Sequence, residues 1–206
     1  MKKKERVLVV IDGSNTYFKI RNTYAEKMDH LNFRYDKLIT QLFDGKTVLD
    51  IRYYVGKIKV AKKQKASPKS EELRRAQQKL FATLEKQGIK VVHGFLLENN
   101  GTYKEKGVDV RMAVDIVSGA FYNTYDKLYV VSSDTDLIPA IHITQGKKKV
   151  VTYVGFSMKP SVALTDECDE IRVISAQDIK KCFSKPITVN RFDDVAPPKR
   201  TRNKGE

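Results

Sequence analysis

Four aspartates stand where carboxylates could share one chemical task, either at the end of an apolar run or on the apolar face of a helix. Asp12 directly follows one apolar run, and Asp134 and Asp136 follow another. Residues two apart in an extended chain face the same side, so this pair is predicted to point at one site. A helical projection places Asp109 on the same face as apolar side chains. All four are candidates for one acidic site.

Carboxylates that converge without histidine or cysteine make an oxygen-only site, which suits Mg²⁺ or Mn²⁺ better than zinc or copper. The chain has only two cysteines, with no CxxC pair, and its three histidines are scattered without ligand spacing. Like charges at close range are unfavourable unless a cation binds. A bound divalent ion polarises a phosphoryl oxygen and activates water, so phosphodiester hydrolysis without a covalent intermediate is the predicted chemistry.

A structural role competes with this interpretation at several positions. Asp12 could satisfy free backbone N–H groups at the start of the next helix, and Asp136 could be the N-cap of the helix that follows it. Asp109 could serve only to complement the dipole of a first helical turn. Asp115 projects outside the apolar arc of the same helix, and we predict it to be a solvated surface residue.

The elements that must position these residues are short β-rich runs alternating with longer helical patterns, which predicts an α/β fold around a mostly parallel sheet. The predicted strands are 6–11, 48–55, 89–97, 127–133, 148–155 and 171–175. The predicted helices lie near 15–28, 35–43, 70–87, 108–122, 136–145, 160–166 and 176–183. Ligands of open parallel sheets gather outside the carboxyl ends of the strands. The acids after the first and fourth strands are therefore predicted to meet at one edge.

The charge balance predicts a polyanionic partner. Lysine and arginine number 39 against 25 aspartates and glutamates, a net charge of +14. Such an excess attracts nucleic acid through its phosphates, and it also attracts anionic membranes. The alternative is a basic surface that serves only solubility. The apolar run 6–11 is too short for a signal peptide or a membrane span. We therefore predict a cytoplasmic protein that does not enter a membrane.

Two segments stand apart from the predicted core. Residues 1–184 are predicted to form one domain, interrupted by an exposed basic loop near 57–70 that leads into a helix. Lys62, Lys63 and Lys65 of this loop are candidate substrate contacts. Residues 185–206 carry an excess of basic side chains and a Pro-Pro pair, and are predicted to form a flexible basic tail.

Three stretches in a fixed order resemble the NYN domain family, of the LabA-like or DUF88 type. They are VVIDGSN near the start, KGVDVRMAVDIV in the middle, and YVVSSDTDLIPAI followed by KKVVTYVG. The resemblance spans roughly residues 5–180. It implies a Rossmann-like, PIN-like three-layer α/β/α sandwich, with an acidic site that binds Mg²⁺ or Mn²⁺ for RNA cleavage.

The resemblance also implies roles for individual residues. Asp12 matches the first-strand acid of the family, Asp109 the helix acid, and Asp134 and Asp136 the acids of the loop after the fourth strand. Asn15 matches the polar residue that would orient substrate or a metal-bound water.

Other positions depart from the family pattern or accompany it. Ser133 and Leu137 stand where the family usually has glycine and phenylalanine. Neither change removes a carboxylate, but both could alter the geometry of the loop. Ser133 and Lys106 are further candidate substrate contacts, and Lys106 could instead only shape the turn before its helix. Asp115 matches a recurrent family acid.

The function predicted from the residues and the resemblance together is a metal-dependent ribonuclease, with an endonuclease favoured over an exonuclease. All four aspartates, Asp12, Asp109, Asp134 and Asp136, are predicted to bind metal and take part in catalysis. The alternative is an NYN-fold module that binds RNA, or recruits a protein, without cutting. A nucleic acid other than RNA, and a homodimer, are left open as partners.

Overall fold

The central sheet has its strands in the order β4-β3-β2-β1-β5-β6-β7, and every neighbouring pair is parallel except β3 and β4. A computed structural model describes residues 5–24, 31–43, 48–59, 68–99 and 102–183. The strands are β1 Arg6–Asp12, β2 Val48–Lys59, β3 Lys90–Asn99, β4 Thr102–Lys106, β5 Lys127–Val131, β6 Val150–Phe156 and β7 Glu170–Ile174. The predicted mostly parallel sheet is confirmed.

Helices cover both faces of the sheet. They are α1 Gly13–Tyr24, α2 Tyr35–Thr40, α3 Pro68–Lys86, α4 Val108–Phe121, α5 Ile138–Gly146, α6 Val162–Glu167 and α7 Ala176–Lys181. Buried side chains of α1, α2, α3 and α7 form the core on one face, and those of α4, α5 and α6 form the core on the other. The three-layer α/β/α architecture is therefore as predicted. Among the described residues, no helix combines the length and apolar character needed to span a bilayer.

Burial explains why the central strands read as continuous apolar runs. Every residue of β1 from Val7 to Asp12 is buried, and so is β5 from Leu128 to Val131. Strands covered by helices on both sides need apolar side chains at every position, whereas edge strands do not. The edge strand β7 is correspondingly exposed through most of its length.

The chain reverses its direction of travel across the sheet between β1 and β5. From β1 it proceeds to β2, β3 and β4 on one side, and α4 then carries it back to β5 on the other side of β1. Such a switch point opens a crevice beyond the carboxyl ends of the two central strands, where open α/β sheets bind their ligands. Asp12 ends β1, and Asp134 lies three residues beyond β5.

Strand β2 is longer than predicted and projects past the end of β1. Asp12 pairs with Tyr54, so residues 55–59 extend beyond the switch point. The side chain of Gln77 on α3 accepts a hydrogen bond from Ile58 N at 3.0 Å and donates one to Gly56 O at 2.7 Å. Within the described ranges, β2 has no strand neighbour on this side of its projecting end. The Gln77 side chain takes the place of one by pairing Ile58 N and Gly56 O, because backbone groups left without a partner cost stability.

The exposed basic loop predicted near 57–70 overlaps two observed elements at its ends, because β2 runs to Lys59 and α3 begins at Pro68. Its lysines Lys62, Lys63 and Lys65 lie outside the described residues, and so does the predicted tail 185–206. Strand β4 was not predicted at all. Its sequence lacks an apolar alternation, although Asn100-Gly101 between β3 and β4 is a strong hairpin signal.

Candidate metal centre

Three of the four predicted aspartates come together at the switch point. Asp12, Asp109 and Asp134 each offer a carboxylate oxygen, and these atoms all lie within 4.8 Å of one another. The first comes from the end of β1, the second from the first turn of α4 and the third from the turn after β5. Asp12 is only 6% exposed, and the other two are partly buried.

The Asp12 carboxylate is held on both oxygens. Its Oδ1 accepts a hydrogen bond from Asn15 N at 2.9 Å, and its Oδ2 accepts one from Ser132 Oγ at 3.1 Å. Burial raises the pKa of Asp12 to about 7, and the negative charges of Asp109 and Glu105 contribute to the rise. Asp12 thus satisfies an N–H group at the start of α1 and also lies in the acidic group, so the capping interpretation and the metal interpretation are compatible.

Asp134 is the N-cap of a single 3-10 turn, Thr135–Leu137, that precedes α5. Its Oδ1 accepts a hydrogen bond from Asp136 N at 3.0 Å, and its own N–H donates to Ser132 Oγ at 3.1 Å. The alternative in which Asp136 caps the following helix does not hold, because Asp134 caps the 3-10 turn and the N-cap residue of α5 is Leu137. Ser132, which was not anticipated, bridges Asp12 and the peptide of Asp134.

Asp136 lies outside the group of three carboxylates and is exposed. The prediction that it faces the same side as Asp134 assumed an extended chain. The structure folds residues 135–137 into a helical turn, and side-chain alternation does not apply in such a turn.

Asp109 enters the group because the start of α4 lies close against β3. Gly107, with a φ of 73°, turns the chain into the helix, and the next residue, Val108, is buried. Val108 packs over Gly94, where an added Cβ would lie 2.8 Å from Lys106 O and collide with the valine side chain. Glycine at this position permits the close approach that brings the first turn of α4 to the switch point.

Asn15 joins α1 to the loop after β5. Its side-chain Oδ1 accepts a hydrogen bond from Ser133 N at 3.1 Å. The partner is the backbone of Ser133 and not its hydroxyl group, so this contact does not depend on the residue type at 133. The structure thus places Asn15 and Ser133 beside the aspartates, in contact with each other.

Glu105 is an acid of this region that the sequence reasoning missed. It lies on β4, and its Oε2 accepts a hydrogen bond from Ser14 Oγ at 2.7 Å. Its Oε1 accepts from Gly56 N. Finding Glu105 required the antiparallel strand β4, which the Asn100-Gly101 hairpin signal could have indicated.

The family model that describes the NYN domain matches residues 6–175. The chain belongs to the NYN domain family. This family has a nuclease-like fold, and its members generally act on nucleic acids. In shape, the chain is similar to the crystal structure of VPA0982, a protein of unknown function from Vibrio parahaemolyticus. The TM-score is 0.63 at 21% identity, over 87% of this chain and 98% of that one. Comparison with curated proteins gives no significant match.

Asp115 of this NYN domain is not the solvated residue predicted from the helical projection. Its side chain is 13% exposed, with Arg111 Nε at 3.1 Å and Arg52 Nη1 at 3.6 Å. Tyr54 donates its hydroxyl hydrogen to Asp115 Oδ2 at 3.1 Å. The projection failed because Arg52 and Tyr54 on β2 supply polar partners beneath α4, which a view of one helix cannot include. Asp115 ties α4 to the sheet and lies outside the carboxylate group.

Of the basic residues predicted to contact substrate, the structure describes only Lys106. Lys106 is exposed at the end of β4, directly before the glycine that opens α4. It therefore lies at the rim of the region that contains Asp109. The loop lysines Lys62, Lys63 and Lys65 lie outside the described part of the chain.

Proposed function

We propose that the protein is a metal-dependent ribonuclease that hydrolyses RNA phosphodiester bonds, acting as an endonuclease. The observation that carries this proposal is the meeting of Asp12, Asp109 and Asp134, whose carboxylate oxygens lie within 4.8 Å of one another at the switch point of an NYN domain. No single element of the chain accounts for that meeting, because the three residues come from a strand, a helix and a turn.

The donor set fits Mg²⁺ or Mn²⁺. All three groups are carboxylates, and hard divalent cations prefer oxygen ligands. Burial is the largest cause of the raised pKa of Asp12, and the negative charges of Asp109 and Glu105 raise it further. A cation among these groups would reverse that unfavourable interaction. When bound, such an ion polarises the phosphoryl group and lowers the pKa of a water that attacks phosphorus.

The surrounding residues of the chain would position the reactants. Asp12 is held on both oxygens by Asn15 N and Ser132 Oγ, so its carboxylate is already oriented. The Asn15 side chain, fixed through its oxygen by Ser133 N, would present its amide hydrogens to substrate or water. Asp136 lies at the exposed side of the same turn, and its catalytic role stays a prediction.

A nucleic acid is the proposed substrate because the acidic centre lies in a protein of net charge +14. RNA is proposed among nucleic acids because the resemblance to NYN domains implies RNA cleavage. Basic side chains away from the carboxylates would bind the phosphates on either side of the scissile bond. Lys106 at the end of β4 is one such group, and Lys62, Lys63 and Lys65 are proposed as others.

The decisive experiment compares the wild type with Asp134→Asn on labelled single-stranded and structured RNA, with Mg²⁺, Mn²⁺ or a chelator. Asparagine keeps the shape of the side chain and an oxygen that can accept from Asp136 N, but removes the charge. We expect cleavage to be abolished and RNA binding to be retained or tightened. Asp166→Asn, at an exposed aspartate of α6, is the matched control and should cleave like the wild type.

Two outcomes would contradict the proposal. If Asp134→Asn cleaved RNA with unchanged Mg²⁺ dependence, the group of three carboxylates would not be the catalytic site. Tight, salt-sensitive RNA binding without cleavage by the wild type in either metal would favour the non-catalytic alternative. Adding Asp136→Asn to the series decides whether the fourth aspartate contributes. Parallel DNA substrates establish which nucleic acid is preferred.

A further inference from the structure

Glu105 connects two segments of the chain, and its charge acts on Asp12 of the acidic centre. One is the first turn of α1, reached through Ser14, and the other is the projecting end of β2, reached through Gly56. We propose that Glu105 is a positioning residue that holds the turn between β1 and α1, and thereby sets the affinity of the centre for a divalent ion. The proposal rests on the metal site proposed above.

The path of the Glu105 side chain depends on a glycine. Strand β4, which carries Glu105, is separated from β1 by β3 and β2. At Gly56 on β2, an added Cβ would lie 2.9 Å from Glu105 Oε1 and 3.1 Å from its Cγ. Any other residue at 56 would therefore displace the carboxylate. With glycine there, the side chain lies over the backbone of β2 and reaches the first turn of α1.

Both oxygens of Glu105 are used in this bridge. Oε2 accepts from Ser14 Oγ at 2.7 Å, and Oε1 accepts from Gly56 N on the part of β2 that extends past β1. Hydrogen bonds to an ionised carboxylate are stronger than those between neutral groups. The bridge therefore fixes the position of Ser14, which lies between two residues of the centre, Asp12 and Asn15.

Glu105 acts on the metal through other residues and not as a ligand. The group of carboxylates that can share one ion consists of Asp12, Asp109 and Asp134. Glu105 is near enough for its charge to act on Asp12, but its oxygens are bound to Ser14 and Gly56. Residues that orient the ligands of a metal typically change its affinity by about 10-fold to 100-fold when they are replaced.

The test is Mn²⁺ binding measured by titration calorimetry on the full chain, for the wild type, Ser14→Ala, Glu105→Ala and the double variant. We expect each single substitution to weaken binding, by about 10-fold for Glu105→Ala. The double variant should bind no more weakly than Glu105→Ala, since both changes break the same bridge. Glu85→Ala, at an exposed glutamate near the end of α3, is the matched control and should bind like the wild type.

Gly56→Ala gives an independent route to the same result, because it displaces the Glu105 carboxylate without removing it. We expect it to weaken Mn²⁺ binding as Glu105→Ala does. Thermal unfolding of the metal-free proteins identifies any variant that fails to fold. If Glu105→Ala and Gly56→Ala both fail, the Mn²⁺ affinity of Ser14→Ala tests the proposal. For a positioning residue, saturating Mn²⁺ should restore most of the cleavage rate.

The results separate this inference from the proposed function. If the wild type binds Mn²⁺ and Glu105→Ala binds it equally well, the positioning role is wrong and the metal site stands. Effects of Ser14→Ala and Glu105→Ala that simply add would also overturn it, since the two residues would then act independently. A wild type that binds no Mn²⁺ would overturn both proposals.

Discussion

Carboxylates at the two ends of the central sheet have opposite electrostatic surroundings. At the amino ends of the strands, Asp126 is paired with Arg6 and Glu170 with Lys127, each at 2.6 Å. At the carboxyl ends, Asp12 lies in a group with Asp109 and Asp134, and the nearby charges that act on it are negative.

The pKa values follow this difference. Hydrogen bonds from Arg6 hold the pKa of Asp126 below its usual range, and those from Lys127 do the same for Glu170. Burial raises the pKa of Asp12 to about 7. Carboxylates at the amino edge stabilise the folded protein in their charged form, whereas at the carboxyl edge the charged form of Asp12 costs stability. That cost is expected of a site arranged for a ligand and not for the fold.

The largest expected effect concerns the metal-free protein. The proton on Asp12 contributes stability that is fully present below the unfolded pKa of 3.8 and is lost as pH rises through about 7. Asp12→Asn, which cannot ionise, should stabilise the metal-free protein at pH 8 by up to about 4 kcal/mol, and by almost nothing at pH 3.5. Urea unfolding in chelator at both pH values measures this. Equal effects of Asp12→Asn and Asp166→Asn would contradict it.

A somewhat smaller effect is expected when metal is added. At a Mn²⁺ concentration 100 times its Kd, the wild type should gain about 2.7 kcal/mol in the free energy of unfolding, since the ion binds only the folded state. The same addition should leave Asp12→Asn almost unchanged. Thermal unfolding with and without Mn²⁺ at pH 7.5 compares the two proteins. Stabilisation of both to the same degree would show that the ion binds elsewhere.

The smallest effect is expected at the amino edge. Glu170→Gln removes the charge that pairs with Lys127 but keeps an oxygen near Thr152 Oγ1. Because Glu170 is 39% exposed, solvent weakens the pair, and we expect a loss of about 0.5 to 1 kcal/mol at pH 7. The lowered pKa means that this contribution is lost as pH falls below the usual range of glutamate. Urea titrations at pH 7 and pH 3 measure this loss. If Glu170→Gln were more stable than the wild type at pH 7, the comparison would be contradicted.

Much of the fold could be predicted from the sequence because its central strands are buried on both faces. Runs such as residues 6–11 leave few alternatives to a parallel sheet covered by helices. The helical projection correctly placed Asp109 on the apolar face of α4, because that helix buries one face against the sheet. Strand β4 was not predicted because it lies at an edge of the sheet, where exposed positions do not require apolar residues.

The parts of the site that could not be predicted depend on contacts between distant segments. Glu105 reaches Ser14 only because Gly56 leaves room on an intervening strand. Asp115 is shielded by side chains of β2, which no view of α4 alone includes. The direction of the Asp136 side chain could not be predicted, because a short helical turn follows Asp134 where extended geometry was assumed. Local patterns identified the acids, and tertiary contacts determined which of them meet.

The position of β1 at the switch point also has a consequence during synthesis. Asp12 and Ser132, which are hydrogen-bonded in the finished domain, are 120 residues apart in the chain. A growing polypeptide therefore carries Asp12 long before the ribosome has made Asp134. The carboxylates cannot meet until β5 has been released from the exit tunnel and has docked beside β1. For the ribonuclease proposed above, made next to its own messenger, this order of assembly would delay activity until translation of the domain is almost complete.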